Sequence, residues 1–152
     1  MNPVRRSWSL AELEAVRLGI EECRHVFLRL KAPASGTGKY LKETAALRQY
    51  AELSVEASPA QEFSVSFAHE WPRDVEHERV TDLDDALLRG LLEALARRCY
   101  LSAWGCSIRT VHAACGETTA SLAVQLAASL AIETLLAKAD WNPEPPPRKD
   151  VA

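Results

Sequence analysis

Residues 119–139 read TASLAVQLAASLAIETLLAKA, and no charged side chain stands between Glu117 and Glu133. Leu122, Leu126, Leu130 and Ile132 stand beside Ala123, Ala127 and Ala131, while Ser121, Gln125, Ser129 and Glu133 form a thin polar stripe. This spacing predicts a helix over about Thr119 to Ala139, apolar over most of its circumference and therefore covered on more than one side. Its small residues suit it to lie close against a sheet. Thr118 or Thr119 is the expected N-cap.

Working upstream, Trp104 to Ala113 reads as a strand that Gly116 ends. Before it, Leu83, Leu87, Leu91 and Leu95 recur at helical spacing, with Arg89, Glu93 and Arg97 toward water. Thr81 with Asp84 resembles a capping box, and Asp82, Asp84 and Asp85 suit the positive end of a helix closed by Arg97 and Arg98. Gly90 inside this helix costs roughly 1 kcal/mol against Ala, which suggests close packing there. Ala51, Leu53, Val55 and Ala57 alternate with polar residues, as do Phe63, Val65 and Phe67. A turn at Ser58-Pro59-Ala60 between them predicts an antiparallel hairpin of these two runs. Pro33 and residues 34–38 read as a breaker. Residues 39–48 read as either helix or strand. Ser9 and Glu12 predict a capped helix over Leu10 to Arg24, with residues 25–30 open to a strand reading. Helices gathered on one face of a mostly antiparallel sheet make an α+β layer fold.

Several stretches resemble a known family. Ala123-Val124-Gln125-Leu126-Ala127-Ala128-Ser129-Leu130-Ala131-Ile132-Glu133 looks like the last helix of the fourth domain of elongation factor G, where members carry a run close to Ala-Phe-Lys-Ile-Ala-Ala-Ser-Met-Ala-Ile-Lys. The strand Cys106-Ser107-Ile108-Arg109-Thr110-Val111 sits where the family has its preceding strand. Ala86-Leu87-Leu88-Arg89-Gly90-Leu91 resembles Ala-Val-x-x-Gly-Ile, and Arg48-Gln49-Tyr50-Ala51-Glu52-Leu53 resembles Arg-Gly-Gln-Tyr-Gly-x-Val. The matches fall in order over about Tyr40 to Asp140. The resemblance implies a two-layer βαβ sandwich with a left-handed crossover, shared with the second domain of a small-subunit ribosomal protein. It implies a non-catalytic module that contacts RNA or the ribosome; unlike the family, the chain offers no room for a GTPase domain, and no cofactor is expected. Ala45-Ala46-Leu47 replaces the family's Gly-rich lead, and His112-Ala113-Ala114-Cys115 replaces its Gly-Ser-Tyr-His tip.

The expected organisation is a basic tail with an amphipathic extension over 1–38, the elongation factor G domain IV-like unit over 39–140, and a Pro-rich disordered tail over 141–152. The chain has 152 residues, a net charge of −3 and 47% hydrophobic residues, which fits one globular domain and argues against a general nucleic-acid binder. The charge is uneven: residues 1–50 hold nine Lys and Arg against five Asp and Glu, and the remainder is acidic. The basic half supplies Lys39, Lys42, Arg48, Gln49 and Tyr50 as candidate RNA- or partner-binding residues, and His112 of the replaced tip joins them. No leader or membrane span is read, so the expected location is cytoplasmic. The cysteines lack paired spacing and read as core residues, with neither a disulfide framework nor a zinc site.

Other chemical readings are ordinary. Gly36-Thr37-Gly38-Lys39 has a phosphate-loop flavour, but Pro33 and Tyr40 occupy positions that such a loop needs as Gly and as Ser or Thr. His69-Glu70 and His77-Glu78 could offer metal ligands from one loop, at a spacing that fits no standard site, and no metal is expected. His112 and Cys115 could form a nucleophile pair, an alternative in which the chain is a small enzyme. The other alternative is a protein-interaction module, a homodimer, built on the N-terminal helix and the apolar last helix. No catalytic residue is assigned.

Overall fold

A computed structural model describes residues 3–14, 27–44, 48–116 and 119–145. Among these, seven strands and three α-helices follow in the order β1 (Arg6–Trp8), α1 (Leu10–Glu14), β2 (Phe27–Leu30), β3 (Ala34–Glu43), β4 (Arg48–Pro59), β5 (Ser64–Phe67), α2 (Val80–Ala96), β6 (Trp104–Cys115), α3 (Ser121–Lys138) and β7 (Trp141–Glu144). The fold is α+β, with a mostly antiparallel sheet. β4 lies antiparallel between β3 and β6, β5 runs parallel to β6, and β1 closes the edge antiparallel to β5. β2 pairs in parallel with the first two residues of β6, and β7 pairs antiparallel with β2.

The core lies between the sheet and the helices. Alternate residues Ala51, Leu53, Val55 and Ala57 of β4 are buried, as are Val65 and Phe67 of β5 and Ile108 of β6. Above them α3 lies across β3 and β4, and α2 packs along α3. The four leucines Leu83, Leu87, Leu91 and Leu95 are fully buried, as their spacing predicts. At roughly 1.5–3 kcal/mol per buried side chain, such leucines are the main reason α2 stays on the core.

The hairpin is not the expected one. Ala51–Ala57 does not pair with Phe63–Phe67; β4 pairs instead with β3, in register from Ala34↔Ala57 to Glu43↔Arg48. The Gly-x-Gly stretch that reads as a breaker is the middle of β3. A Cβ on Gly38 would stand 2.1 Å from the Ala127 carbonyl oxygen, and one on Gly36 would stand 2.3 Å from that of Ala131. These glycines bring the helix backbone down onto the strand. Their absent side chains read as a loop signal because close approach and turn-making both select glycine.

The same contact seats α3 on the sheet by its small residues, as its composition predicts. Its alanines face inward: Ala123, Ala127, Ala128 and Ala131 are buried with Val124, Ile132 and Leu135. Leu122, Leu126 and Leu130 are 61%, 37% and 44% exposed. By length and composition alone α3 would pass for a membrane-crossing helix; here its small-residue face is seated on protein.

Three further corrections concern ends. The expected Ser9–Glu12 capping box forms, with the Glu12 amide donating to Ser9 Oγ at 3.4 Å and the Ser9 amide to Glu12 Oε1 at 3.3 Å. Residues 15–24 of that predicted helix lie outside the described residues. β1 and α1 are part of the sheet and core, since Leu13 is fully buried, and β3 runs through the expected boundary at 38, so the described residues before 39 belong to the domain. Trp141–Glu144 forms an edge strand that accommodates Pro143, so the expected disordered tail does not begin at 141. α3 begins after Ala120 with no side-chain cap, and Thr119 is used elsewhere.

β6 carries a bulge. Val55 pairs with Thr110 but Ser54 pairs with His112, leaving Val111 as an extra residue.

Candidate interaction surface

The register sorts the six expected contact residues into two groups. Thr37 Oγ1 and Ser54 Oγ meet at 3.0 Å across the face of the sheet opposite α3. Counting in twos from that pair places Lys39 of β3, Arg48 and Tyr50 of β4 and His112 of β6 on the same face. Lys42 and Gln49 pair with one another across the hairpin, on the helix side. Among the described residues no helix covers the open face.

Carboxylates stand among these cations. Lys39 Nζ is 3.9 Å from Glu52 Oε1, and Arg48 Nε is 3.2 Å from Glu43 Oε1. The Tyr50 hydroxyl donates to Glu52 Oε2 at 2.5 Å, and that bond, with burial, raises the phenol pKa. His112 and the cations Lys39, Arg48 and Lys42 are exposed, and Tyr50 is half-buried.

Gln49 serves the fold. Its Oε1 accepts the Ala120 amide at 2.6 Å. Next to it Thr119 is fully buried; its hydroxyl donates to the Tyr50 carbonyl at 3.0 Å and accepts the Gly116 amide at 2.9 Å. The Arg79 guanidinium donates to the Thr119 carbonyl. These bonds tie the start of α3 to the end of the hairpin. A capping role for Thr119 is the obvious inference from sequence, and only the tertiary neighbours redirect its hydroxyl.

The alternative enzyme pair is not brought together. Beyond the bulge, His112 faces out and Cys115 faces in, beside Ala51. Burial raises the Cys115 thiol pKa, which disfavours the nucleophilic thiolate.

Sequence reasoning divided one dense polar cluster between a metal loop and a helix cap. Asp84 is 2% exposed and His69 fully buried. Asp84 Oδ1 lies 2.9 Å from His69 Nε2 and accepts the Trp71 indole N–H at 2.9 Å. His69 Nδ1 meets Thr110 Oγ1 at 2.6 Å, the Arg5 Nε donates to the His69 carbonyl at 2.8 Å, and Arg6 reaches Asp84 Oδ2 at 3.5 Å. Burial works to raise the Asp84 pKa, but the bonds from His69 and Trp71 and the charge of Arg5 hold it down to about 2. Burial lowers the His69 pKa, against the pull of Asp84. Thr110, His69 and Asp84 thus form a hydroxyl–imidazole–carboxylate chain, yet all three are closed to a substrate, so the arrangement is a core polar network. A shallow cleft of about 630 Å³ beside it is rimmed by Arg5, Arg73 and His77 but also by Glu70, Asp74 and Glu76. No group of three or more His, Cys, Asp or Glu suited to a metal ion occurs among the described residues.

No protein-family profile matches the chain, and no curated protein matches it. A crystal structure of a protein from Thermus thermophilus shares the fold, with a TM-score of 0.60 over 82% of this chain at 24% identity. This chain spans only 18% of that protein's length, so the same architecture stands there within a much longer polypeptide.

Proposed function

We propose that this domain is a non-catalytic binding module, resembling domain IV of elongation factor G, that contacts RNA or a ribosomal particle through the open sheet face at the hairpin end. The observation that carries this reading is the gathering of Lys39, Arg48, Tyr50 and His112 on one uncovered face. Exposed ion pairs such as Lys39–Glu52 and Arg48–Glu43 hold about 0–1 kcal/mol each, so a phosphate can replace the carboxylate at little cost. Tyr50 adds an aromatic surface for a base. Since Glu43, Glu52 and Glu56 share the strands, the face is balanced in charge, and it suits a shaped site better than indiscriminate phosphate binding.

Sedimentation with ribosomes and isolated subunits at low salt tests the reading. The chain is expected to co-sediment, and Lys39→Glu with Arg48→Glu is expected to abolish this while leaving the fold intact. Absence of the wild-type chain from the pellet sinks the proposal.

A second reading, a protein-interaction module, is favoured by the exposed Leu122, Leu126 and Leu130. They form a ridge at four-residue spacing, which suits packing against another helix. Light scattering at micromolar concentration checks its homodimer form; a strictly monomeric mass removes it.

A further inference from the structure

β1 occupies its place as a ligand would. Only three residues pair with β5, Arg6↔Phe67, Ser7↔Ser66 and Trp8↔Val65, with the Arg5 amide donating to the Phe67 carbonyl at 2.7 Å. Trp8 meets Phe67 edge-on at 4.7 Å between centroids, and the Arg6 guanidinium lies 4.7 Å over the Trp8 ring. Both guanidiniums turn to one buried carboxylate: Arg5 reaches Asp84 Oδ1 at 3.4 Å and Arg6 reaches Oδ2 at 3.5 Å. On the receiving side His69 and Trp71 also bond Asp84 Oδ1 and hold the carboxylate in place.

We infer that the β5 edge with Asp84 at its floor is a strand-acceptor site for an extended segment carrying two consecutive arginines and an aromatic residue two positions on, and that the N-terminal strand of a second copy can take the place of the chain's own. Charge complementarity selects the occupant: a carboxylate with little water around it accepts two guanidiniums far more readily than neutral side chains. A second copy supplies the identical segment in the identical register, and exchange of an identical element is a low-cost route to dimers. Only Ser9 separates β1 from α1, whose Leu13 is fully buried, so the two leave together in the exchange and regain the same contacts in the second copy.

Two measurements on the full-length chain decide the matter. In the first, Ser7→Cys with Ser66→Cys places a disulfide across the β1–β5 register, and the variant is refolded and oxidised over a range of concentrations. A cross-linked dimer band that grows with concentration on a non-reducing gel is expected; cross-links within single chains at every concentration overturn strand exchange. In the second, the Arg5→Ala/Arg6→Ala chain, whose own strand is weakened, is titrated with a fluorescent peptide of residues 3–9. The wild-type peptide is expected to bind more than about tenfold tighter than one with both arginines replaced by alanine. Equal binding of the two peptides, or none by either, overturns the acceptor site.

Discussion

A carboxylate as deeply buried as Asp84 is tolerable only while its partners remain. Asp84→Ala would leave His69 and Trp71 with unmet bonds and Arg5 and Arg6 without a counter-charge. The expected loss is about 3–5 kcal/mol, read from urea unfolding; a loss within experimental error would refute the network's structural role. The pH dependence has a definite sign. The folded pKa of Asp84, about 2, lies below its ordinary 3.8, so its contribution is complete above 3.8 and disappears as pH falls toward 2. The folded pKa of His69 is lowered from 6.5, so the neutral ring is favoured and its contribution disappears as pH falls below 6.5. Melting temperature should therefore decline on acidification in two stages, and His69→Gln should remove the upper one. None of this was legible from composition. Asp84 satisfies every local rule for a helix N-terminal charge, and only His69 and Trp71 from the segment after β5, with Arg5 and Arg6, show it to be the centre of a buried network.

Among the elements, α2 and β6 were legible in type and nearly in extent, because leucine spacing and strand propensity are local signals. β3 was not, because the residues that seat α3 are those that mark turns elsewhere. Gly90 shows how context overrides propensity. In an exposed helix, Gly→Ala gains about 1 kcal/mol. Here the new Cβ would lie 2.2 Å from the Gln125 carbonyl oxygen and 2.8 Å from Ala128 Cβ. Gly90→Ala and Gly38→Ala should each destabilise by about 1–3 kcal/mol through overpacking. A raised denaturation midpoint for either would show that α3 shifts freely. The bond from Ser129 Oγ to the Gly90 carbonyl, at 3.0 Å, sits at the same crossing and argues that it does not.

For the whole molecule, the α+β class was legible because alternating and 3.6-residue periods occur in separate stretches. The candidate contact residues were legible as a basic, aromatic segment, but their division was not: the pairing of β3 with β4 sends Lys39, Arg48 and Tyr50 to one face and turns Gln49 to the other. The approach of α3 by its small residues was legible, but that Leu122, Leu126 and Leu130 face outward was not, because an apolar circumference does not say which sector the neighbours cover. Leu122→Asp should change stability by no more than about 0.5 kcal/mol, measured by thermal denaturation, since that side chain is 61% exposed. A large loss would mean that the ridge is covered in solution, and mass measurement on the same sample would then show by what.

The extra residue in β6 sets the reading frame of that strand. Up to Thr110 even-numbered side chains enter the core; past Val111 the odd-numbered ones, Ala113 and Cys115, do so. Deleting Val111 would leave the ladder regular and the strand's composition almost unchanged. It would also present His112 in the place now taken by Val111 on a smooth strand, and any further one-residue slip would exchange the inward and outward sets beyond it. A single-codon deletion here therefore tests the strand's phase and not its strength.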